Sequence, residues 1–295
     1  MKNITIETKD EGRKLKEYLM EECGFSGRLV KRMLSEGLIM VGGKKGYGDT
    51  KLKGGMELQI SEYEKEDSLK LLGEDLKLVV LEETESFIAF EKPAGMSMMP
   101  SEKLTSGTFA NGVAFIFEEK GITAPIRFLN RLDRDTSGVV IVPLSGHYHN
   151  LIQQAYEKGE KLYYAIVSGC PQEEEGVISA PLMKDYGKTG GVKISSIGVK
   201  AETAYKVIER FKDFSLLELN LLTGRTHQIR AHLSHIGCPI VGDSLYGGTE
   251  GIISRQALHA YRISFKSPED GVMVEVESDL PTDMEALLES LREGK

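Results

Sequence analysis

The chain has 295 residues, of which 40% are apolar and 28% charged, and its net charge is −8. The length exceeds the about 100–200 residues usual for one domain and predicts two, and no apolar run is long enough for a membrane-spanning helix. The start, MKNITIETKDEGRKLK, alternates and is charged where a secretory signal has its apolar stretch, and the three cysteines (Cys23, Cys170, Cys238) are odd in number and far apart. A cytoplasmic location follows as the expectation, with no CxxC metal framework.

Charge is unevenly distributed. Residues 1–60 hold 12 Lys+Arg against 9 Asp+Glu, a balance of +3, and the remainder carries −11. A polyanionic partner therefore has to be met by local basic patches, because the molecule as a whole repels it.

In chain order, Leu15, Tyr18, Leu19 and Cys23 recur at helical spacing and predict a helix over 12–23. A second helix is expected from Ser26, with Leu29, Val30, Met33 and Leu34 inward and Gly37 as its stop. LIMVGG reads as a short strand with a Gly42-Gly43 turn, and MELQI as another strand, while SEYEKEDSLKLLGED has the composition of a solvated linker. This gives a small helix-rich domain over 1–62, a linker over 63–74 and a larger domain over 75–295. Arg28, Lys31 and Arg32 fall on the outer side of the second helix, a spacing that lines up cations against a phosphate backbone but is equally found on any solvated helix face.

From about residue 75 the pattern becomes that of strands: LKLVVL, SFIAFEK, GVVIV, KLYYAIV, TAYKVI and SLLELNLL, with short helical segments between them. Leu217, Leu219 and Leu221 alternate with Glu218 and Asn220, so the TGR that follows stands at a strand end and opens a helix. That helix is expected over Thr226–Ile236, with Ile229, Leu233 and Ile236 inward, Gly237 closing it, and His227 and Arg230 one turn apart on the other face.

Three segments could carry chemistry. NRLDRDTSG (Asn130–Gly138) is a polar loop feeding a buried strand, which makes a rigid mount for a reactive carboxylate; a structural ion-pair network has the same composition. LTGRTHQIRAH (Leu222–His232) presents Arg225 at a strand end and Thr226, His227 and Gln228 at a helix start, where anions are favoured. An Asp133–Arg225 pair is the natural inference and would keep Asp133 ionised in a water-poor pocket. In KLYYAIV, Tyr163 and Tyr164 point to opposite faces, so only one can enter a cleft. His232, His235 and Cys238 have a spacing that soft metal ligands use, but no fourth ligand lies close in sequence. VGGKKGYG and GDSLYGGTEG lack the order of a phosphate-binding loop and read as turns.

Taken together in this order, NRLDRDTSG, KLYYAIV and LTGRTHQIRAH resemble the RluA-type pseudouridine synthases, and EKPAGMSMMPS, GDSLYGG and ALHAYRISF add to the likeness, which covers about residues 75–280. Residues 12–60 resemble the small RNA-binding domain that members of this family share with a ribosomal small-subunit protein. The resemblance implies an α+β fold, a mixed and largely antiparallel sheet with a central cleft. It also implies an isomerase that converts uridine to pseudouridine in ribosomal or transfer RNA without a cofactor. Carried over by motif, Asp133, Tyr163 and Arg225 would be catalytic, with Arg131 helping to displace the target base. Thr226, His227, Gln228 and Arg230 would meet substrate, and Arg28, Lys31 and Arg32 would bind RNA. No metal, no DNA and no membrane is expected as a partner, and the protein is expected to be a monomer. Asn130 stands where the family most often has histidine, and Met99 where its KPAG segment usually continues differently. The competing expectation is a non-catalytic RNA-binding or ribosome-assembly protein on the same fold, against which the joint presence of Asp133, Tyr163 and Arg225 speaks.

Overall fold

The computed structural model describes residues 2–23, 25, 27–61, 71–185, 187 and 191–294, excepting the side chains of Lys2, Arg28 and Leu29. Ser26, Leu29 as an inward residue, the side chain of Arg28 and most of the expected linker therefore lie outside the described residues. The chain divides into two compact units, Met1–Lys70 and Leu71–Lys295. Leu72 and Glu74 belong to the second: Asn111 donates to the Leu72 carbonyl, and the Glu74 amide donates to that of Asn111.

The first unit contains β1 (Lys2–Thr5), α1 (Leu15–Glu21), α2 (Gly27–Glu36), β2 (Ile39–Val41), β3 (Lys44–Lys45) and β4 (Glu57–Ile60), with its strands in the antiparallel order β1-β4-β2-β3. Its two helices accompany a four-stranded sheet, to which the alternating N-terminal segment adds the strand β1. α1 starts later than its apolar spacing predicts, since Gly12 takes φ +85° and Lys14 is held in a bridge to Lys51. The core is Leu15, Leu19, Val30, Met33, Ile39 and Leu58, and Gly37, at φ +73°, ends α2.

The second unit runs β5 (Val79–Glu83), β6 (Phe87–Lys92), α3 (Phe109–Glu119), β7 (Ser137–Pro143), α4 (Gly146–Lys158), β8 (Glu160–Ser168), β9 (Glu175–Ser179), β10 (Leu182–Lys184), β11 (Val192–Ile194), β12 (Glu202–Arg210), β13 (Phe214–Leu221), α5 (Gln228–His235), β14 (Leu258–Lys266), β15 (Met273–Glu277) and α6 (Thr282–Arg292). Its main sheet has the order β5-β6-β7-β14-β8-β13-β12-β9, with β15 on β14, and β10 and β11 form a separate hairpin. The sheet is the mixed, largely antiparallel one expected. Among the described strands the parallel pairing is β7 with β14, where Ser137 faces His259 and Gly138 faces Ala260.

That pairing decides where the site can be. Every residue of β7 is buried, so the polar loop before it is anchored at its end by a strand that cannot shift. Gly138 sits at φ +124°, and a Cβ there would run into the Ala260 carbonyl, so only glycine permits the approach of β14. α3 opens with a reciprocal cap between Thr108 and Asn111, and it places Phe109 and Val113 in the same core as Ile88, Phe90 and Val140. α5 begins at Gln228 rather than Thr226, because His227 takes φ +51° and breaks the helical run. Ile229 and Leu233 face the core as expected, whereas Ile236 is exposed, the helix having ended one residue before it.

His259 lies wholly buried between Ser137 Oγ, 2.9 Å from its Nδ1, and the Ser278 carbonyl, 3.2 Å from its Nε2. Burial pushes it down to about 4. The unfolded chain takes up a proton below about pH 6.5 that the folded chain refuses until about pH 4, so this contribution is complete above pH 6.5 and is lost as pH falls. Denaturant unfolding of the wild type is expected to lose about 2 kcal/mol more stability between pH 7 and pH 5 than that of His259→Asn.

Candidate active site

The loop between Asn130 and Ser137 is held almost entirely by buried donors from other elements. Asn130 donates to the Val139 carbonyl at 2.7 Å and accepts from the Ile141 amide at 3.1 Å, so it staples the loop onto β7 and does not face a substrate. Lys92, completely buried at the end of β6, donates to the carbonyls of Pro93 (2.8 Å), Arg134 (2.9 Å) and Thr136 (2.8 Å). Three carbonyl acceptors match the three N–H groups of an ammonium. Burial nevertheless pushes Lys92 down to about 7, against the pull of Asp135 and Asp133. Arg255 donates Nη1 to the carbonyls of Asp135, Gln256 and Leu258 while Asp283 at the start of α6 takes its Nε and Nη2. Gln256 adds a bond to Thr136 Oγ1 at 3.1 Å.

What this frame presents is Asp133, whose side chain is 25% exposed and lines a pocket that opens to solvent. Arg131, Tyr163, Arg225, His227, Gln228 and Arg230 line the same pocket. Thr226 is exposed and does not line it.

The ion pair expected between Asp133 and Arg225 is not the one formed. Arg230 donates Nη1 to Asp133 Oδ2 at 3.0 Å, whereas the exposed Arg225 reaches only the Lys200 carbonyl, Nε to O 3.4 Å, and remains at the pocket rim. The reason is the late start of α5: with His227 in a left-handed conformation, the first helical turn points Arg230 inward and leaves Arg225 on the turn outside. Arg230 is also fixed by Asp243, a residue of the GDSLYGG turn that is 1% exposed; Nε meets Oδ2 at 2.6 Å and Nη2 meets Oδ1 at 2.8 Å. Despite burial, these two carboxylates hold the guanidinium above its ordinary value, so it is a permanent cation.

Gln228 is another correction. Its amide oxygen accepts from Thr223 Oγ1 and the Arg225 amide, and its nitrogen donates to the Glu202 carbonyl and Thr203 Oγ1. With both acceptor and both donor positions taken inside the protein, nothing remains for a substrate. The side chain instead ties the end of β13 to α5 and supports the strained backbone of His227. His227 itself turns Nε2 toward Asp133 Oδ1 at 3.8 Å and rests Nδ1 against the Tyr246 hydroxyl at 3.1 Å. Burial lowers it against the opposing pull of Asp133, which leaves a neutral imidazole at neutral pH.

Tyr163 enters the pocket and is 6% exposed, while Tyr164 on the other face stacks on Tyr261 with ring centroids 4.0 Å apart. Burial, with Asp133 adding to it, pushes the Tyr163 phenol well above its ordinary value. It therefore stays protonated and offers a flat aromatic wall. His232 has both ring nitrogens engaged, with Thr203 Oγ1 and the Ala180 carbonyl each at 2.9 Å, and His235 is exposed; the metal-like spacing is part of the scaffold.

Lys92, Asp243 and Tyr246 were not singled out by the sequence, although all three lie in segments that carry the resemblance. A lysine closing the apolar strand FIAFEK was the available signal for the first. GDSLYGG does form turns, as its composition predicts, but the turn is also what buries Asp243 behind Arg230.

Comparison with known proteins gives the family. The RNA pseudouridylate synthase family matches residues 86–235. The RNA pseudouridine synthase YlyB of Bacillus subtilis is 33% identical over 99% of this chain and 98% of its own length. The ribosomal large subunit pseudouridine synthase D of Neisseria meningitidis is 32% identical over 88% of this chain and 73% of its own. Among solved structures, human RNA pseudouridylate synthase domain containing 1 superposes with a TM-score of 0.58 at 25% identity, over 75% of this chain and 96% of that one. The fold is thus that of an enzyme that isomerises uridine in RNA. The chain belongs to the RNA pseudouridine synthases, of the RluA type.

Because Lys92 holds the loop through the carbonyls of Arg134 and Thr136, Lys92→Met is expected to leave RNA affinity within about twofold and to lower turnover by about tenfold or more, the usual consequence of a misplaced reacting group. Wild-type turnover in the folded variant would contradict the tether.

Proposed function

We propose that the chain modifies uridines of large-subunit ribosomal RNA, with Asp133 as the reacting carboxylate, and that transfer RNA is the second substrate class to test. The observation that supports the assignment is the asymmetry of Asp133: Oδ2 is held by Arg230, while Oδ1 has no hydrogen-bond partner among the described residues, and the residue lines an open pocket together with Tyr163. The ribosomal reading is taken from relatives such as the Neisseria meningitidis enzyme, whose name gives the large ribosomal subunit.

Isomerisation breaks the bond between uracil N1 and the sugar, turns the base, joins the sugar to carbon 5 and removes the proton from that carbon. A uridine inside a folded RNA has first to leave its stack, at a cost of a few kcal/mol, and Arg131, exposed beside Asp133, is suited to fill the gap. Tyr163 stacks on the base, and neutral His227 and the rim cation Arg225 meet base edge and phosphate. Asp133 acts by attacking sugar or base or by drawing off a sugar proton, all of which need an ionised oxygen free of its own salt bridge. Arg230 supplies the cation bonded to it, which Arg225 does not.

The first unit contributes RNA affinity through the outer face of α2. Lys31 is exposed there, and Arg32 pairs with Glu36 at 2.8 Å, an exposed pair weak enough to exchange for a phosphate. The protein is proposed to act as a cytoplasmic monomer.

Tritium release from RNA labelled at carbon 5 of uridine tests this, with ribosomal and transfer RNA supplied separately. Wild-type protein is expected to release tritium from ribosomal RNA and Asp133→Asn to release none above background. Release by Asp133→Asn at the wild-type rate would remove Asp133 from the chemistry, and release from transfer RNA alone would replace the substrate class.

A further inference from the structure

The guanidinium of Arg230 has five N–H donors, and its strongest mode of binding a carboxylate is a fork of two parallel bonds. In this structure the fork is occupied by Asp243, through Nε to Oδ2 at 2.6 Å and Nη2 to Oδ1 at 2.8 Å. Asp133 receives one bond, from Nη1 to Oδ2 at 3.0 Å. Its Oδ1 has no hydrogen-bond partner among the described residues; His227 Nε2 stands 3.8 Å from it, outside hydrogen-bond range.

Asp243 is itself held rigidly. Its amide donates to the Ile240 carbonyl at 3.1 Å, its carbonyl accepts from the Gly248 amide at 2.8 Å, and Oδ1 also takes the Tyr246 amide at 3.3 Å. Gly242 and Gly248 let the turn close, since a Cβ at either would strike a carbonyl, that of Arg255 or that of Ile240. The Tyr246 ring lies against the guanidinium, 5.0 Å from Cζ to centroid, and fixes its plane from the face as Asp243 fixes it from the edge. A guanidinium neutralised elsewhere and unable to rotate is a different partner for Asp133 from a free one.

We propose that Asp243 is a positioning residue for the isomerisation: by occupying the fork of Arg230 it limits Asp133 to a single bond through Oδ2 and so reserves Oδ1 for the nucleoside. This rests on the function proposed above. Without the Asp243 carboxylate, Arg230 turns its fork onto Asp133, ties both oxygens and leaves none to react. An Asp243 that merely compensates a buried charge would affect stability alone, and the two roles therefore separate in the kinetics.

The test uses the full chain with Asp243→Asn and Asp243→Glu, tritium release at saturating RNA, RNA affinity by filter binding, and nitrogen-15 spectra of the Arg230 side chain assigned with Arg230→Lys. Asp243→Asn is expected to lower kcat by about 10²-fold with RNA affinity within about twofold of the wild type, the loss expected when a reacting group is withdrawn but the substrate still binds. The Arg230 Nε and Nη signals are expected to move with it, and Asp243→Glu, which keeps the charge on a longer arm, to fall between the two in rate. Wild-type kcat in Asp243→Asn, or a lowered kcat with an unchanged Arg230 spectrum, would overturn the proposal. If Asp243→Asn does not fold, Asp243→Glu decides, and wild-type kcat in that variant would overturn it equally. If the wild-type protein releases no tritium from any RNA, the proposed function fails, while the Arg230 spectra still report whether Asp243 sets the guanidinium.

Discussion

Burying a guanidinium requires counter-charges at hydrogen-bond distance, and Arg230, on the first turn of α5, finds two: Asp243 from the turn after that helix and Asp133 from the loop before β7. A cation left unpaired at such a depth costs several kcal/mol, which is enough to make the three segments keep one arrangement. The rest of the site is organised around this point. The helix must start late to aim Arg230 inward, so His227 adopts a left-handed backbone and Gln228 uses its whole amide to hold the strand end in place. The turn around Asp243 must be tight, so glycines flank it on both sides.

The loop that carries Asp133 meets the same requirement from the other direction. A polar loop at the centre of a sheet has backbone carbonyls that water does not reach, and each must find a donor. Lys92 and Arg255 supply those donors, and Asn130 and His259 fasten the loop's flanks to β7 and β14. The result is a carboxylate on a rigid mount, with one oxygen anchored and the other without a hydrogen-bond partner among the described residues. Such preorganisation is what a reacting carboxylate needs from its protein.

Much of this architecture was legible in the sequence. The strands that build the sheet, from SFIAFEK to SLLELNLL, announce themselves by alternation or by continuous apolar runs, and Gly37 and Gly237 mark the helix ends they were expected to mark. The segments carrying Asp133, Tyr163 and Arg230 were all identified. The arginine that pairs with Asp133 was misread because spacing alone favours the one at the strand end, Arg225; the choice depends on a single backbone angle at His227, which no periodicity encodes. Gln228 looked like a substrate ligand because it is polar at a helix start, and only its complete set of internal bonds shows otherwise. Lys92 and Asp243 were silent for a related reason: a charged residue is read as exposed by default, and both are buried because their partners come from segments distant in sequence.

The proposed chemistry depends on the division of labour between the two oxygens of Asp133. It is tested most directly by a crystal structure of the protein with an RNA carrying 5-fluorouridine at the modified position, since that base has no proton on carbon 5 to release. The expected result is a flipped nucleoside stacked on Tyr163 with Oδ1 of Asp133 against it and Oδ2 still bonded to Arg230. A nucleoside bound away from Oδ1, or one that reaches Asp133 only after Arg230 has left it, would contradict it.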